Sequence, residues 1–336
     1  MSRIVTSAPG KLVLSGEYAV LAGAPALVIA VDRRVTCELS TRTEPGWRFR
    51  STGFEATRTH ALPALLSGND LDPEDPARIC QAILRTLLRH DLSVSRLPLG
   101  LEITLDSNAF YDAGAKLGLG SSAAVCVALT RGLLELAQSP ADTLHIALAA
   151  HHGLQDGRGS GLDVATACLG GLVEFQRTAE SGLPSTTRRE LPSGIHLGFF
   201  WSGSSTSTAG HLKRFERWAG TKRPQALSAL AEAAVEVTLA LPDADDFMRQ
   251  LRVYSRCLRA MDETSGIGIY GESHRALAEA ADACDAIYKP SGAGGGDVGI
   301  AIANSAAAIE ALSQRASAIN VATLALGMEQ HGIEVS

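Results

Sequence analysis

The stretch "GLGSSAA", Gly118–Ala124, places two glycines and two serines where a strand gives way to a helix. Upstream, "LEITL" alternates as a half-buried strand does, and downstream "VCVALTRGLLELA" carries apolar residues at helical spacing to about Ala137. Glycine lets a backbone approach an anion closely, and the unpaired amides of a helix's first turn supply donors and partial positive charge. The junction therefore suits a phosphate. It also suits an ordinary helix start, because serine caps well and glycine turns easily. The Gly-Lys-Ser/Thr ending of a Walker A loop is missing, so the stretch is not that loop.

Composition narrows the possibilities. The 336 residues suffice for two lobes of roughly 150 residues each. Hydrophobic content of 46% with 20% charged residues is that of a soluble globular protein with ample core. A net charge of -6 and a pI near 5.9 argue against nucleic acid or an anionic membrane as partner, while small anionic ligands stay open. The six cysteines, Cys37, Cys80, Cys126, Cys168, Cys257 and Cys284, make no CxxC or Cys/His metal spacing and read as reduced thiols among apolar neighbours. "MSRIVTSAPG" has no signal-peptide core and no apolar run reaches about 18 residues, so a cytoplasmic protein is expected. Glycine, with 33 residues, is the outlier.

Along the chain, "RIVTSA", "KLVL", "ALVIAV" and "RVTCELS" read as strands, with "WRFRSTG" extending their sheet. "ARICQAILRTLLRH" reads as an amphipathic helix after Pro76, and "SPADTLHIALAAHHGL" as a helix with a capping start. "LDVATACLG" is a third helix, leading into strand "GLVEFQ". Beyond about residue 180, "SGLPSTTRRELPSG" reads as a polar loop and "IHLGFFW" as a buried strand, followed by a largely helical stretch. "AIYKPSGAGGGDVGIAIA" sets a glycine cluster between two apolar strands, and the chain ends with helical "AAAIEALSQRASA" and strand-like "VATLALGMEQHGIEVS". Strands and helices mix without a regular β-α-β-α rhythm, so a two-lobed α+β fold is expected over a Rossmann-type sheet.

Small residues thus gather in three places: "SAPGKLVLSGEYAVLAG" at 7–23, "AKLGLGSSAA" at 115–124 and "KPSGAGGGDVGIAI" at 289–302. Singly each is a turn, and Lys11 alone is a surface lysine. In this order and spacing they resemble the three signatures of the GHMP small-molecule kinase superfamily, over essentially the whole chain. The resemblance implies a two-lobed GHMP kinase fold. Its N-terminal lobe (1–180), resembling domain 2 of ribosomal protein S5, would carry the ATP-binding Gly/Ser loop, and a ferredoxin-like C-terminal lobe (181–336) would close the active site. The form "KLGLGSS", with "KLVLSGEYAVL", "GSGLDVATA" and "FFWSGSSTSTAGHL", is similar to the phosphomevalonate kinase branch. Its members transfer the ATP γ-phosphate to (R)-5-phosphomevalonate in the mevalonate route to isoprenoids. The chain departs from that branch at Gln155-Asp156-Gly157-Arg158-Gly159-Ser160-Gly161, where Gly157 replaces the usual lysine and an arginine follows.

The resemblance also implies roles. Lys11 and Asp163 match the catalytic lysine and aspartate: Lys11 would bridge two anions and pair with Asp163, and Asp163 would orient the acceptor. Lys116, Gly118, Leu119, Gly120, Ser121, Ser122 and Ala123 would hold ATP, with Ser121 or Ser122 ordering Mg²⁺. Ser15, Tyr18, Arg158, Ser160, Gly161, Lys289, Ser291, Gly292, Ala293 and Gly294 would form the substrate side, and Lys116, Arg158 and Lys289 are candidates for its phosphate. Glu17 is expected to support the fold. His151-His152 reads as a helix-end pair rather than a metal or base pair, because adjacent helical residues diverge. The alternatives are a mevalonate kinase, another small-molecule kinase or a decarboxylase of the same superfamily, or an idle ligand sensor; "GLGSS" argues against the decarboxylase, and the presence of both Lys11 and Asp163 against the sensor. A monomer and a homodimer are both open.

Overall fold

The computed structural model describes residues 2–54, 56–90, 94–112, 114–155, 157, 159–178, 183–206, 208–220 and 222–336, with Thr208 and Ala209 described by backbone only. The strands expected separately at the start are longer and continuous. β1 (Arg3–Ser15) runs through Pro9 by a register shift at Pro9/Gly10, and β2 (Ala26–Thr41) lies antiparallel to it. A bulge is where a strand tolerates proline, which has no N–H to donate to the ladder. β3 (Gly46–Ser51) and β4 (Arg58–His60) follow, then helices α1 (Leu62–Ser67) and α2 (Arg78–Arg89), and β5 (Gly100–Asp106). The short hairpin β6 (Tyr111–Asp112) and β7 (Ala115–Lys116) delivers the Gly/Ser loop to α3 (Ser121–Leu136). α4 (Thr143–Leu154) starts at Asp142, whose carboxylate accepts from Leu144 N at 3.2 Å and His145 N at 3.3 Å. α5 (Leu162–Leu169) then leads into β8 (Leu172–Gln176).

The alternation of β2 sorts its side chains between two faces of the sheet. Leu27, Ile29 and Val31 enter the main core, while Ala26 and Val28 join Val13, Leu162, Ala165, Val173 and Phe175 in a smaller cluster. Both faces of Ala26–Val31 are thus covered, which explains its unbroken apolar run.

The polar stretch read as a loop contains β9 (Ser185–Arg189), an edge strand on β8. Its side chains are mostly exposed, and Arg189 pairs with Glu174 at 2.7 Å, so no hydrophobic alternation marks it. A second, antiparallel sheet follows from β10 (His196–Trp201), after which come α6 (Thr208–Arg217), α7 (Lys222–Leu239), α8 (Ala244–Ser265) and α9 (Glu272–Asp282). β11 (Ile287–Pro290), β12 (Val298–Ala303), α10 (Ala306–Ala318) and β13 (Ala322–Thr323) complete it in the order β11-β12-β10-β13. Of the strand-like C-terminus, β13 and β14 (Glu334–Val335) form ladders, the latter on β1. The architecture is α+β, and residues of the three small-residue segments line one cavity.

Candidate active site

The glycines of the opening stretch are there for room. Gly118 and Gly120 adopt φ of +74° and +82°, a region open to glycine and unfavourable to most other residues. A Cβ on Gly120 would lie 3.2 Å from Lys11 Cγ, 3.3 Å from Lys11 Cε and 3.8 Å from Asp163 Cβ. A Cβ on Gly118 would lie 2.3 Å from Asp297 Cγ. Side chains from β1, α5 and the β11–β12 loop therefore press directly on the loop backbone. Lys11 N donates to Leu119 O at 2.8 Å and fastens the loop to β1. With glycine before it, the first turn of α3 has no side-chain cap.

These elements line a cavity of about 550 Å³. Of the residues expected in the site, Lys11, Tyr18, Lys116, Gly118, Gly120, Ser121, Ser122, Ala123, Ser160, Asp163, Gly292 and Ala293 face it. Asp163 is half-buried in the first turn of α5, and its Oδ1 accepts from Val164 N at 3.0 Å. Lys11 and Asp163 share the cavity without an ion pair within 4.0 Å, so the expected pairing is not formed among the described residues. Tyr18 donates to Ala293 O at 2.6 Å, joining the first signature to the third. Burial pushes its phenol well above the ordinary value, which keeps it a neutral donor.

Other expected residues stand behind the cavity wall. Lys289 is fully buried: it makes an ion pair with Glu17 and donates to Val13 O at 3.1 Å and Pro290 O at 2.8 Å. Its place in the buried strand β11 removes it as a ligand for substrate phosphate. Burial holds its ammonium below the ordinary 10.5, with Glu17 opposing. Glu17 also accepts from Tyr254 OH at 2.7 Å, and Tyr254 OH accepts from Gly16 N at 2.9 Å. The expectation that Glu17 supports the fold matches this geometry. Ser291 accepts from Val13 N at 2.7 Å, Ser15 and Leu119 are fully buried, and the Gly294 carbonyl accepts from Thr206 Oγ1 at 3.0 Å. None of these four lines the cavity. Gly161 faces a neighbouring cavity of about 530 Å³, and Arg158 lies outside the described residues.

Several cavity residues escaped the sequence reading. Ser205, Thr206 and Lys213 enter from the second half of the chain, just after or within "FFWSGSSTSTAGHL". Asp297 directly follows the glycine cluster and lines the cavity. His151, set aside as half of a pair, is buried and borders both cavities, while His152 is exposed. Beneath the glycine cluster, His274 Nε2 lies 2.9 Å from Gly296 O and its Nδ1 lies 2.8 Å from Tyr288 OH. A carbonyl only accepts, so Nε2 carries the proton and Nδ1 accepts from the tyrosine.

A glycine-lined helix start, a lysine on a neighbouring strand and an aspartate opening a second helix line one cavity, and the fold around them is that of the GHMP kinases. Residues 78–171 match the family of GHMP kinases, N terminal domain. The chain is 31% identical to phosphomevalonate kinase of Streptomyces sp. (strain CL190), over 98% of each chain. It is 26% identical to mevalonate kinase of Pyrococcus furiosus, over 90% of this chain and 89% of the relative. Streptococcus pneumoniae phosphomevalonate kinase, solved with phosphomevalonate and AMPPNP, superposes with a TM-score of 0.79 at 23% identity, covering 98% of this chain and all of that one. The chain belongs to the phosphomevalonate kinase family of two-lobed GHMP kinases.

Proposed function

We propose that this chain transfers the γ-phosphoryl group of ATP to the phosphate of (R)-5-phosphomevalonate, giving 5-diphosphomevalonate and ADP. The observation that carries this reading is the match to a phosphomevalonate kinase along 98% of each chain. An oxygen of the acceptor phosphate bonds to the γ-phosphorus while the bond to the β–γ bridging oxygen breaks, and ADP leaves with that electron pair. Such a transition state is loose and anionic, so the protein's task is positioning and charge stabilisation. The Gly118–Ala123 backbone and the open first turn of α3 receive the ATP phosphates. Lys11 lies between that loop and Gly292, where a Cβ would be 3.7 Å from its Nζ, and can meet both anions. A phosphate monoester has its second pKa near 6 and is already nucleophilic at neutral pH. Asp163 therefore orients the acceptor more than it removes a proton. Lys116 and Lys213 offer charge for the acceptor phosphate, a part also assigned to Arg158.

No group of three or more His, Cys, Asp or Glu side chains among the described residues could hold a metal by itself. That fits Mg²⁺, which in such sites takes one or two carboxylates together with substrate phosphates. The hydroxyls of Ser121 and Ser122 and the carboxylates of Asp163 and Asp297 are among the hard oxygen donors lining the cavity. Bound there, Mg²⁺ would neutralise charge developing between the phosphates.

In this reading residues 1–180 bind ATP and residues 181–336 close the site, although β9 and β14 of the second segment pair into the first sheet. The enzyme is cytoplasmic, a monomer or homodimer, and binds neither nucleic acid nor membrane. Its net charge is -6, and no described helix is long and apolar enough to cross a membrane. Phosphorus NMR of protein, Mg²⁺-ATP and phosphomevalonate tests the reading: a diphosphate pair of signals should replace the monoester signal. An unchanged monoester signal while ATP is consumed would contradict it.

A further inference from the structure

We propose that Asp297 holds the magnesium ion of bound Mg²⁺-ATP from the second half of the chain, facing the Ser121–Ser122 start of α3. This rests on the reading that the cavity binds ATP, and it does not depend on the acceptor.

Four observations converge on this residue. Asp297 has φ of +57°, in the left-handed region that few side chains occupy without cost. Its own backbone is fixed on both sides, with Asp297 N donating to Ser204 O at 2.7 Å and Ser202 N donating to Asp297 O at 3.0 Å. One carboxylate oxygen, Oδ1, accepts from Thr206 N at 3.2 Å. The other, Oδ2, lies over the phosphate loop, 2.5 Å from where a Gly118 Cβ would stand. The side chain is therefore held, against a strained backbone, at the cavity wall beside the phosphate loop.

Its charge is the unexplained feature. Of the three carboxylates lining the cavity, Glu17 is matched by buried Lys289, whereas Asp163 and Asp297 have no cation within 4.0 Å among the described residues. An uncompensated carboxylate over a loop that receives a polyphosphate repels it. An asparagine would take the same φ and accept the same Thr206 bond without that repulsion. A divalent cation between the carboxylate and the phosphates reverses the sign of the interaction, and hard carboxylate oxygens are what Mg²⁺ selects. Asp163 is placed for the acceptor instead, packed across Gly120 from Lys11 with one oxygen taken by Val164 N.

The charge argument predicts a crossed effect that loss of a purely structural contact does not produce. Calorimetry would compare ATP binding to the full chain and to Asp297→Asn, first with a chelator and then with Mg²⁺. Metal-free ATP should bind the variant at least as tightly as the wild type. The gain in affinity on adding Mg²⁺ should shrink on the order of tenfold, the scale on which metal sites respond to loss of a supporting group. Mn²⁺ binding to the enzyme–ADP complex, followed by electron paramagnetic resonance, should weaken in parallel. Asp297→Gly, which also accepts positive φ, serves if the asparagine variant does not fold. An unchanged Mg²⁺ gain with unchanged Mn²⁺ affinity would overturn the assignment. Wild-type protein that binds no ATP would overturn both it and the ATP reading, whereas inactivity toward phosphomevalonate alone would overturn only the acceptor.

Discussion

Gly120, Lys11 and Asp163 interlock so closely that each constrains the others. Valine at 120 meets two obstacles: a positive φ that costs about 1–2 kcal/mol for a side chain, and Lys11 at 3.2 Å. Gly120→Val should therefore weaken ATP binding more than tenfold in a protein that still unfolds cooperatively; unchanged affinity by calorimetry would reduce the loop to a helix start. Lys11→Met and Asp163→Asn should each fold normally and lose at least about two orders of magnitude in kcat, the scale of a removed charge-stabilising group. Steady-state turnover near wild type in both would remove them from the chemistry. Lys289 behaves differently because its charge is structural. Lys289→Met leaves Glu17 buried without its cation and should cost about 3–5 kcal/mol in denaturant unfolding, with much of the loss recovered on adding Glu17→Gln. The place of Lys11 and Asp163 in the cavity was legible because each sits in a short motif whose neighbours are small. The burial of Lys289 was not, since one sequence does not show that β11 is covered on every side.

The element that sets the glycine cluster in place is α9, through His274. Its imidazole is fully buried, and burial holds its pKa below the ordinary 6.5, so the folded state takes up a proton less readily than the unfolded chain. His274 therefore contributes stability that is complete above about pH 6.5 and is lost as pH falls from there through its folded pKa. Melting temperatures of wild type and His274→Gln, compared between pH 7 and 5, should converge toward the acid end, because the glutamine does not titrate. Parallel curves would show that this histidine does not couple the loop to pH. Nothing in the sequence singled out α9, whose apolar positions are mostly alanine. The sequence divides β1 and β2 each into two strands because Pro9 and Asp32-Arg33 look like breaks. The first is absorbed by a bulge, and the second lies at an exposed or half-buried stretch where β2 continues through a register shift. β9 was missed because a polar edge strand has no inward face to alternate.

At the scale of the whole molecule, β1, the α3 loop and the β11–β12 loop lie far apart in the chain and meet in one cavity. Their order and spacing were legible, and with them the α+β fold class and the family. The contacts that make the cavity continuous were not, because Tyr18 to Ala293 and Ser291 to Val13 are separated by 275 and 278 residues. Those contacts tie the lysine-bearing strand to the glycine cluster, leaving Lys11, Lys116 and Lys213 to line the same cavity. A site charged for two anions should discriminate strongly against a neutral alcohol, which leaves cations unpaired. The direct test is kcat/KM for phosphomevalonate against mevalonate under saturating Mg²⁺-ATP. The account predicts a preference of at least about a thousandfold, corresponding to roughly 4 kcal/mol. Comparable values for the two acceptors would contradict it.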